Sequence, residues 1–166
     1  MFELKTLSPD AVPRALKKAE RYRLLNEPGE AESICLDVLA ADADNQEAVA
    51  MLLLALTDQL VADPLRVSDA WGLVGRLREE YEREYYSGII HERRAKALLA
   101  HGAPRAGLRA YEWLREAMAH YERAEAIRPA NNDDALLRWN ACARLIMQNQ
   151  QIEPSQEEPT EPLLSE

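Results

Sequence analysis

Two segments of the chain share one spacing of small and bulky residues, and this spacing decides the predicted fold. The segments are GEAESICLDVLAADADNQEA at 29–48 and REAMAHYERAEAIRPANNDDA at 115–135. In the second segment Ala117 is followed four residues later by Tyr121, and three residues after that by Ala124. Residues three and four apart lie on one face of a helix, where small residues let a neighbouring helix approach closely. We therefore expect a helix that packs on its neighbours through these three side chains.

Helical periodicity extends over almost the whole chain, and no stretch alternates with the period of a strand. Clusters of Pro, Gly, Asn and Asp separate the periodic segments and divide the chain into seven predicted helices. The third helix is expected near 46–60, the fourth near 68–86, the fifth near 88–100 and the sixth near 105–128. Ser87-Gly88 marks the boundary between the fourth and fifth helices, and the sequence leaves open whether these two are separate or continuous.

The composition favours a helical globular protein. Hydrophobic residues make up 47% and charged residues 30% of the 166 residues, which excludes a mostly disordered chain. Only 6 residues are Gly, and Ala, Leu, Glu and Arg are abundant, so the composition favours helix over sheet. The formal net charge of −9 opposes non-specific binding to nucleic acid or to an anionic membrane.

Three features predict a cytoplasmic location without membrane insertion. The first residues, MFELKTLSPDAV, lack the basic and apolar regions of a secretory signal. The longest apolar run, at 48–56, has about half of the roughly 20 residues that a membrane span requires. Cys35 and Cys142 both fall within helical patterns and form no CxxC motif, so we expect two buried thiols in a reducing compartment.

The composition changes near the C-terminus and predicts a domain boundary there. Residues 1–149 carry the helical periodicity and form the predicted repeat domain. Residues 150–166 contain three Pro, five Glu and no basic residue, which is typical of a disordered acidic tail. This predicted tail carries more than half of the net charge of the chain.

The spacing in the two segments resembles the tetratricopeptide repeat (TPR). The residues that match the second-helix pattern of this family, with its turn proline, are Ala117, Tyr121, Ala124 and Pro129. In the first segment Ala31, Cys35 and Val38 have the same spacing, and Ala43 stands where the family has proline. The chain is similar to a bacterial member of this family over about residues 10–148.

The resemblance implies an α-solenoid of about three degenerate helix hairpins and a closing helix. The first helix of each hairpin would line a concave groove for a partner peptide or helix. Carried over residue by residue, the resemblance places eight side chains on that face: Glu20, Arg23, Leu54, Thr57, Asp58, Lys96, Asn140 and Arg144. It implies no catalytic residue, metal or cofactor.

A cationic cluster in the predicted fifth helix is a candidate anion contact. Arg93 and Arg94 are neighbours there, and an arginine can pair with a carboxylate or phosphate through two hydrogen bonds. Glu80, Glu82 and Glu84 lie nearby in the sequence and would neutralise this cluster. We favour this structural interpretation, because a contact within the chain needs no partner.

The resemblance and the absence of a catalytic motif favour a non-catalytic protein-interaction module, which would be an adaptor, a scaffold or an assembly chaperone. The motifs GxSxG, P-loop and GxGxxG do not occur in the sequence. The three histidines, at 91, 101 and 120, do not have the spacing of a metal-binding pair. We therefore expect the partner to be another protein or peptide rather than nucleic acid.

Two alternatives concern other functions. Type III secretion translocator chaperones are similar in size and acidity, although the Pro/Glu-rich tail departs from their pattern. A small helical enzyme, the least favoured alternative, would require several polar residues to meet in one closed pocket. These residues are His91, Arg93, Asp133 and Asn140.

A further alternative is a structural subunit that self-associates through its last helix. This helix carries Trp139, Leu145 and Ile146 with few charges, whereas the end of a solenoid needs a polar cap. The tail contains an apolar pair, Leu163-Leu164, which would cover this surface within one molecule or between two. The sequence does not decide between self-association and binding of a different protein.

Overall fold

Within residues 1–154, which the computed structural model describes, the chain forms seven α-helices joined by short loops. A single 3-10 turn at Pro9–Ala11 precedes them. The helices are Val12–Leu24 (α1), Pro28–Ala41 (α2), Gln46–Asp58 (α3), Arg66–Val74 (α4), Glu80–His101 (α5), Ala106–Ala126 (α6) and Asp134–Gln148 (α7). No strand occurs in this range. The predicted all-α class is confirmed.

Several helix ends are set by the residues that punctuate the sequence. Pro28 occupies the first position of α2, where a proline loses no helical hydrogen bond. The Asn45 side chain accepts a hydrogen bond from the backbone N–H of Ala48 at 2.9 Å and thereby caps α3. Gly102 ends α5 with a left-handed backbone, φ 63°, which glycine adopts without strain.

Helices that follow one another in the chain pack against each other, and α5 with α6 is the most extensive pair. α1 also touches α3, and α3 touches α5, so these three helices share one side of the molecule. The residues with the repeated spacing are buried, as predicted: Ala31, Cys35, Val38, Ala117, Tyr121 and Ala124. The arrangement of the helices as a solenoid stays a prediction.

The boundary between the fourth and fifth helices differs from the prediction. α4 and α5 are separated by residues 75–79, so the helix expected at 68–86 is wrong, and Ser87-Gly88 lies inside one continuous helix. The turn contains Leu77, which is only 2% exposed. Because this buried side chain continues the apolar spacing of the sequence across the break, periodicity did not reveal the turn.

Gly88 permits close packing and does not terminate a helix. A Cβ atom at this position would lie 2.4 Å from Cε1 of Tyr121 on α6, which is nearer than real Cβ atoms approach. Tyr121 is fully buried, so its ring fills the space that the missing side chain leaves on α5. The close approach of α5 and α6 depends on this pair.

The packed part of the chain continues past α7. Ile152 is buried. A Cβ atom added to Gly107 would lie only 1.6 Å from the carbonyl oxygen of Gln151, so the backbone of Gln151 packs directly against Gly107. The chain therefore folds back against the first turn of α6, and the packed domain extends beyond the predicted boundary at residue 149. The remainder of the predicted disordered tail, residues 155–166, lies outside the described residues.

Two further observations bear on the expected environment of the chain. None of the helices in residues 1–154 is long and apolar enough to cross a membrane. Cys35 and Cys142 are free and buried, as predicted. Burial raises the pKa of each thiol to about 12, so both are poorly reactive at neutral pH.

We predict that Gly88→Ala destabilises the protein by about 1–3 kcal/mol, because the added methyl group overlaps the Tyr121 ring. Alanine is otherwise the better helix residue. The matched control is Gly72→Ala in α4, where no atom lies within 4 Å of the new Cβ and where we expect a gain of about 0.5–1 kcal/mol. Urea unfolding measures both changes. Equal stabilisation by the two variants would show that α5 does not pack closely on Tyr121.

Candidate functional site

Asp58, the last residue of α3, connects three helices. Its Oδ2 accepts a hydrogen bond from Nε of Arg23 on α1 at 2.7 Å, and its Oδ1 accepts one from Nη1 of Arg93 on α5. The three side chains are only 18% to 22% exposed. Charged hydrogen bonds are stronger between partly buried groups than on an open surface. The two ion pairs therefore hold α1 and α5 against the end of α3.

Arg93 also contacts the backbone at the end of α3. Its Nη1 is within hydrogen-bond distance of the carbonyl oxygen of Leu54, at 3.0 Å, and of Oγ1 of Thr57, at 2.9 Å. The last carbonyls of a helix form the negative end of its dipole, where a cation is favourable. A side chain of α5 thus caps α3, and this adds to the ion pair with Asp58.

Glu92 precedes Arg93 in the chain and forms the second half of the site. Its side chain is 1% exposed. Its carboxylate accepts hydrogen bonds from Nζ of Lys96, from the hydroxyl of Tyr121 at 2.6 Å and from Nη1 of Arg138 at 3.3 Å. A buried carboxylate is stable only when such donors replace its water. Glu92 therefore links α5 to both α6 and α7.

The donors around Glu92 keep its carboxyl group ionised. Burial alone would raise the pKa of Glu92, but Lys96, Tyr121 and Arg138 hold it below its usual value through hydrogen bonds and charge. Burial and the neighbouring carboxylate raise the pKa of the Tyr121 hydroxyl, which stays protonated and donates. At neutral pH the site thus contains a buried negative charge that is stabilised from three helices.

An open cavity of about 290 Å³ lies beside these ion pairs. Its lining residues are Thr57, Asp58, Leu60, Val61, Glu92, Arg93, Lys96, Ala97 and Arg138. We use the name ionic cluster for two neighbouring groups of ion pairs: Arg23, Asp58 and Arg93, and Lys96, Glu92 and Arg138. The cluster contains four cations and two carboxylates, although the whole chain has a net charge of −9. The cavity is therefore locally positive in an acidic protein.

Five of the eight residues predicted to line the groove meet at this cavity or next to it. They are Arg23, Leu54, Thr57, Asp58 and Lys96. Arg93, predicted as an anion contact, joins them because it bonds to Asp58, Leu54 and Thr57. Their spatial proximity is shown, whereas their role in binding a partner stays a prediction.

The other three predicted groove residues lie elsewhere. Glu20 is exposed on α1, and Arg144 is exposed on α7 and forms no ion pair within residues 1–154. Asn140 lines a different cavity, between α6 and α7. On α7 it is Arg138 that faces Glu92. Asn140 is two positions later and therefore lies about 200° further around the helix, on a different face. Arg138 therefore occupies the place that was expected for Asn140 and Arg144.

The two candidate anion contacts lie in different surroundings. Arg93 pairs with Asp58, so the expected neutralisation by Glu80, Glu82 and Glu84 is wrong for this residue. Arg94 stacks on α6 instead, with its guanidinium carbon 4.0 Å from the centre of the Trp113 ring. Arg94 has no ion pair in the part of the chain that the structure describes, and its charge is therefore available to an anion.

Two residues of the ionic cluster were not predicted as site residues, Glu92 and Arg138. Glu92 falls on the buried face of α5, four residues after Gly88 and three before Ala95. A charged residue at such an inward position, with Lys96 one turn later, was the available signal. Arg138 gave no comparable signal, because apolar residues surround α7 on most sides and leave its orientation open.

The polar residues that a small enzyme would require do not meet in one pocket. Arg93 lies in the ionic cluster, Asp133 lies at the start of α7, and Asn140 lines the cavity between α6 and α7. The His91 ring stacks on that of His120, with centres 5.4 Å apart. Burial and the neighbouring His120 lower the pKa of His91 to about 4, so this ring is neutral at pH 7. Within residues 1–154, no group of three or more His, Cys, Asp or Glu side chains has the geometry of a metal site.

Comparisons with known proteins identify no relative of this chain. No family model, curated protein or solved structure matches it. The TPR resemblance therefore stays a prediction, which rests on the residue spacing in the two segments and on the burial of those residues.

We predict that Glu92→Gln destabilises the protein at pH 7 by about 2 kcal/mol, because Lys96 and Arg138 lose a buried ionised partner. The folded-state pKa of Glu92 lies below its usual value of 4.5, so its contribution is complete above that pH. It is lost as the pH falls below 4.5 through the folded-state pKa. The difference in unfolding free energy between wild type and variant should therefore shrink as the pH decreases from 5 to 3.

Urea unfolding at several pH values measures this difference. The matched control is Glu112→Gln, an exposed carboxylate on α6, which should change stability by less than about 0.5 kcal/mol at every pH. A Glu92→Gln variant that is as stable as wild type at pH 7 would contradict the assignment of Glu92 as a buried, ionised centre of the cluster.

Proposed function

We propose that the protein is a non-catalytic protein-interaction module that binds a segment of a partner protein at the ionic cluster. The observation that carries this proposal is the cavity of about 290 Å³, which lies beside two groups of ion pairs. One group joins α1, α3 and α5, and the other joins α5 and α7. A surface that several helices build and hold in place is suited to binding an extended segment without chemistry.

The charges of the cluster favour a partner that contributes acidic side chains. Arg93 has its acceptors within the protein, whereas Lys96 and Arg138 share the carboxylate of Glu92 and remain partly exposed, at 48% and 37%. Charge-assisted hydrogen bonds to a carboxylate are about twice as strong as neutral ones. We therefore expect an acidic side chain of the partner to enter the cavity between Lys96 and Arg138.

The preformed network reduces the cost of binding. Long cationic side chains lose conformational freedom when they bind a partner, and this loss opposes association. Lys96 and Arg138 are already positioned by the buried carboxylate of Glu92.

Cys35 and Cys142 are free and buried, which fits the reducing cytoplasm that we propose as the location.

We predict that replacing Lys96 and Arg138 together by Gln reduces partner binding at least about tenfold, because two charge-assisted contacts are lost. The measurement is affinity purification of the tagged protein from its native cells, followed by quantitative mass spectrometry of the co-purified proteins. The matched control replaces Lys17 and Arg144 by Gln, since these are the same residue types and are exposed away from the cavity. The control should bind the partner as wild type does.

Thermal unfolding of both double variants tests whether the fold is retained, because Lys96 and Arg138 also stabilise the buried carboxylate of Glu92. Raised salt should release the wild-type complex. Equal recovery of the same partner by both double variants would contradict binding at the ionic cluster. Recovery of no protein above background by the wild type would contradict the interaction module itself.

A further inference from the structure

A second cavity of about 290 Å³ lies next to the first, shares Leu60 and Ala97 with it, and is more apolar. It is bounded by the loop after α3, the end of α5 and the first half of α6, and most of its lining is apolar. The apolar lining residues include Leu60, Pro64, Leu65, Val67, Leu98 and Trp113. Leu65 is 82% exposed at its edge, although it is a large aliphatic side chain. Within residues 1–154 nothing covers this edge.

Cations surround the apolar cavity. Arg94 lines it and stacks over the Trp113 ring, and the guanidinium carbon of Arg109 lies 6.0 Å from the centre of the same ring. His101 lines the side next to the end of α5. Arg109 has a long contact with Glu112 at 3.7 Å, whereas Arg94 pairs with no carboxylate of residues 1–154. An occupant that fits this site has large apolar side chains flanked by carboxylates.

We propose that this apolar cavity binds the C-terminal segment of the same chain. Residues 155–166, which lie outside the described residues, have the sequence SQEEPTEPLLSE. Leu163 and Leu164 would occupy the cavity, and the glutamates that precede them would lie beside Arg94 and Arg109. The segment contains four acidic residues and no basic residue, so its charge complements the cations around the cavity.

The place where the described chain ends supports this assignment. Ile152 is buried and Gln151 rests on Gly107, so the segment starts at the first turn of α6. Trp113 lies six residues further along the same helix, a rise of about 9 Å. The eleven residues from Ile152 to Leu163 span up to about 36 Å when extended. This length is enough to pass around α6, whose diameter with side chains is about 10–12 Å.

Binding within one molecule requires little intrinsic affinity. A short linker gives the tethered segment an effective concentration in the millimolar range. The cavity would then be occupied by the chain itself until a partner with the same chemistry, a pair of leucines flanked by acids, displaces the segment. This inference concerns a neighbouring cavity, which shares Leu60 and Ala97 with the cavity beside the ionic cluster, and it does not depend on the proposed function.

The test places a nitroxide spin label on the segment of the full-length protein through Ser165→Cys. Cys35 and Cys142 are buried, so the new thiol is the reactive one. The readout is the intensity of the indole N–H signals of the tryptophans in nitrogen-15 NMR spectra, with the label oxidised and then reduced. We expect the Trp113 signal to lose most of its intensity in the oxidised state, and to lose more than the signal of Trp139 on α7.

Three variants establish the site and the interaction. Leu65→Asp places a charge at the edge of the apolar cavity and should restore the Trp113 signal. The matched control is Leu137→Asp, the same substitution at a position on α7 that is 61% exposed, and it should leave the loss unchanged. Replacing both Leu163 and Leu164 by Ser should also restore the Trp113 signal, since the carboxylates alone bind weakly.

Three outcomes would overturn the proposal. The first is an unaffected Trp113 signal. The second is a loss at Trp139 instead, which would place the segment on α7. The third concerns a mixture of two samples: nitrogen-15 protein without a spin label, and spin-labelled protein of natural isotope abundance. A loss of the Trp113 signal in this mixture would show that the segment binds a second copy and not its own chain.

Discussion

Two arginines from different helices share the carboxylate of Asp58, and the positions of α1, α3 and α5 depend on this arrangement. Without that carboxylate, Arg23 and Arg93 would be two partly buried cations facing each other, and a charge left unpaired in such a place costs several kcal/mol. Asp58 stands at the end of α3, so one residue joins the first three helices on this side of the molecule. Asp58 and Arg93 also line the cavity, so their ion pair forms part of its wall.

The same principle continues along α5 to Glu92. Adjacent residues of this helix contact different helices. Arg93 binds to α3, and Glu92 accepts hydrogen bonds from side chains of α6 and α7. Tyr121 connects charge with packing, because its hydroxyl donates to Glu92 while its ring fills the space above Gly88. α5 is therefore the centre of the structure. The cations that remain beside the cavity are positioned by the folding of the protein, before any partner arrives.

The sequence predicts the packing of α6 well and the site only in part. The spacing of Ala117, Tyr121 and Ala124 follows from helix geometry alone, and all three are buried. The predicted boundary between α4 and α5 was misplaced for two reasons. The buried Leu77 continues the helical spacing of apolar residues across the turn, and Gly88 is a residue type that often ends a helix but here permits close packing. Such effects depend on contacts with distant residues, which the local pattern does not contain. The orientation of α7, and with it the role of Arg138, depends on tertiary packing in the same way.

The most direct measurement of the central claim is a double-mutant cycle between Asp58 and Arg93. The free energies of unfolding are determined in urea for wild type, for Asp58→Ala, for Arg93→Ala and for the double variant. If Asp58 holds α3 against α5 through Arg93, the two substitutions are coupled by at least about 1 kcal/mol. Effects that add to within about 0.5 kcal/mol would show that the two side chains act independently, and would contradict this account of the structure.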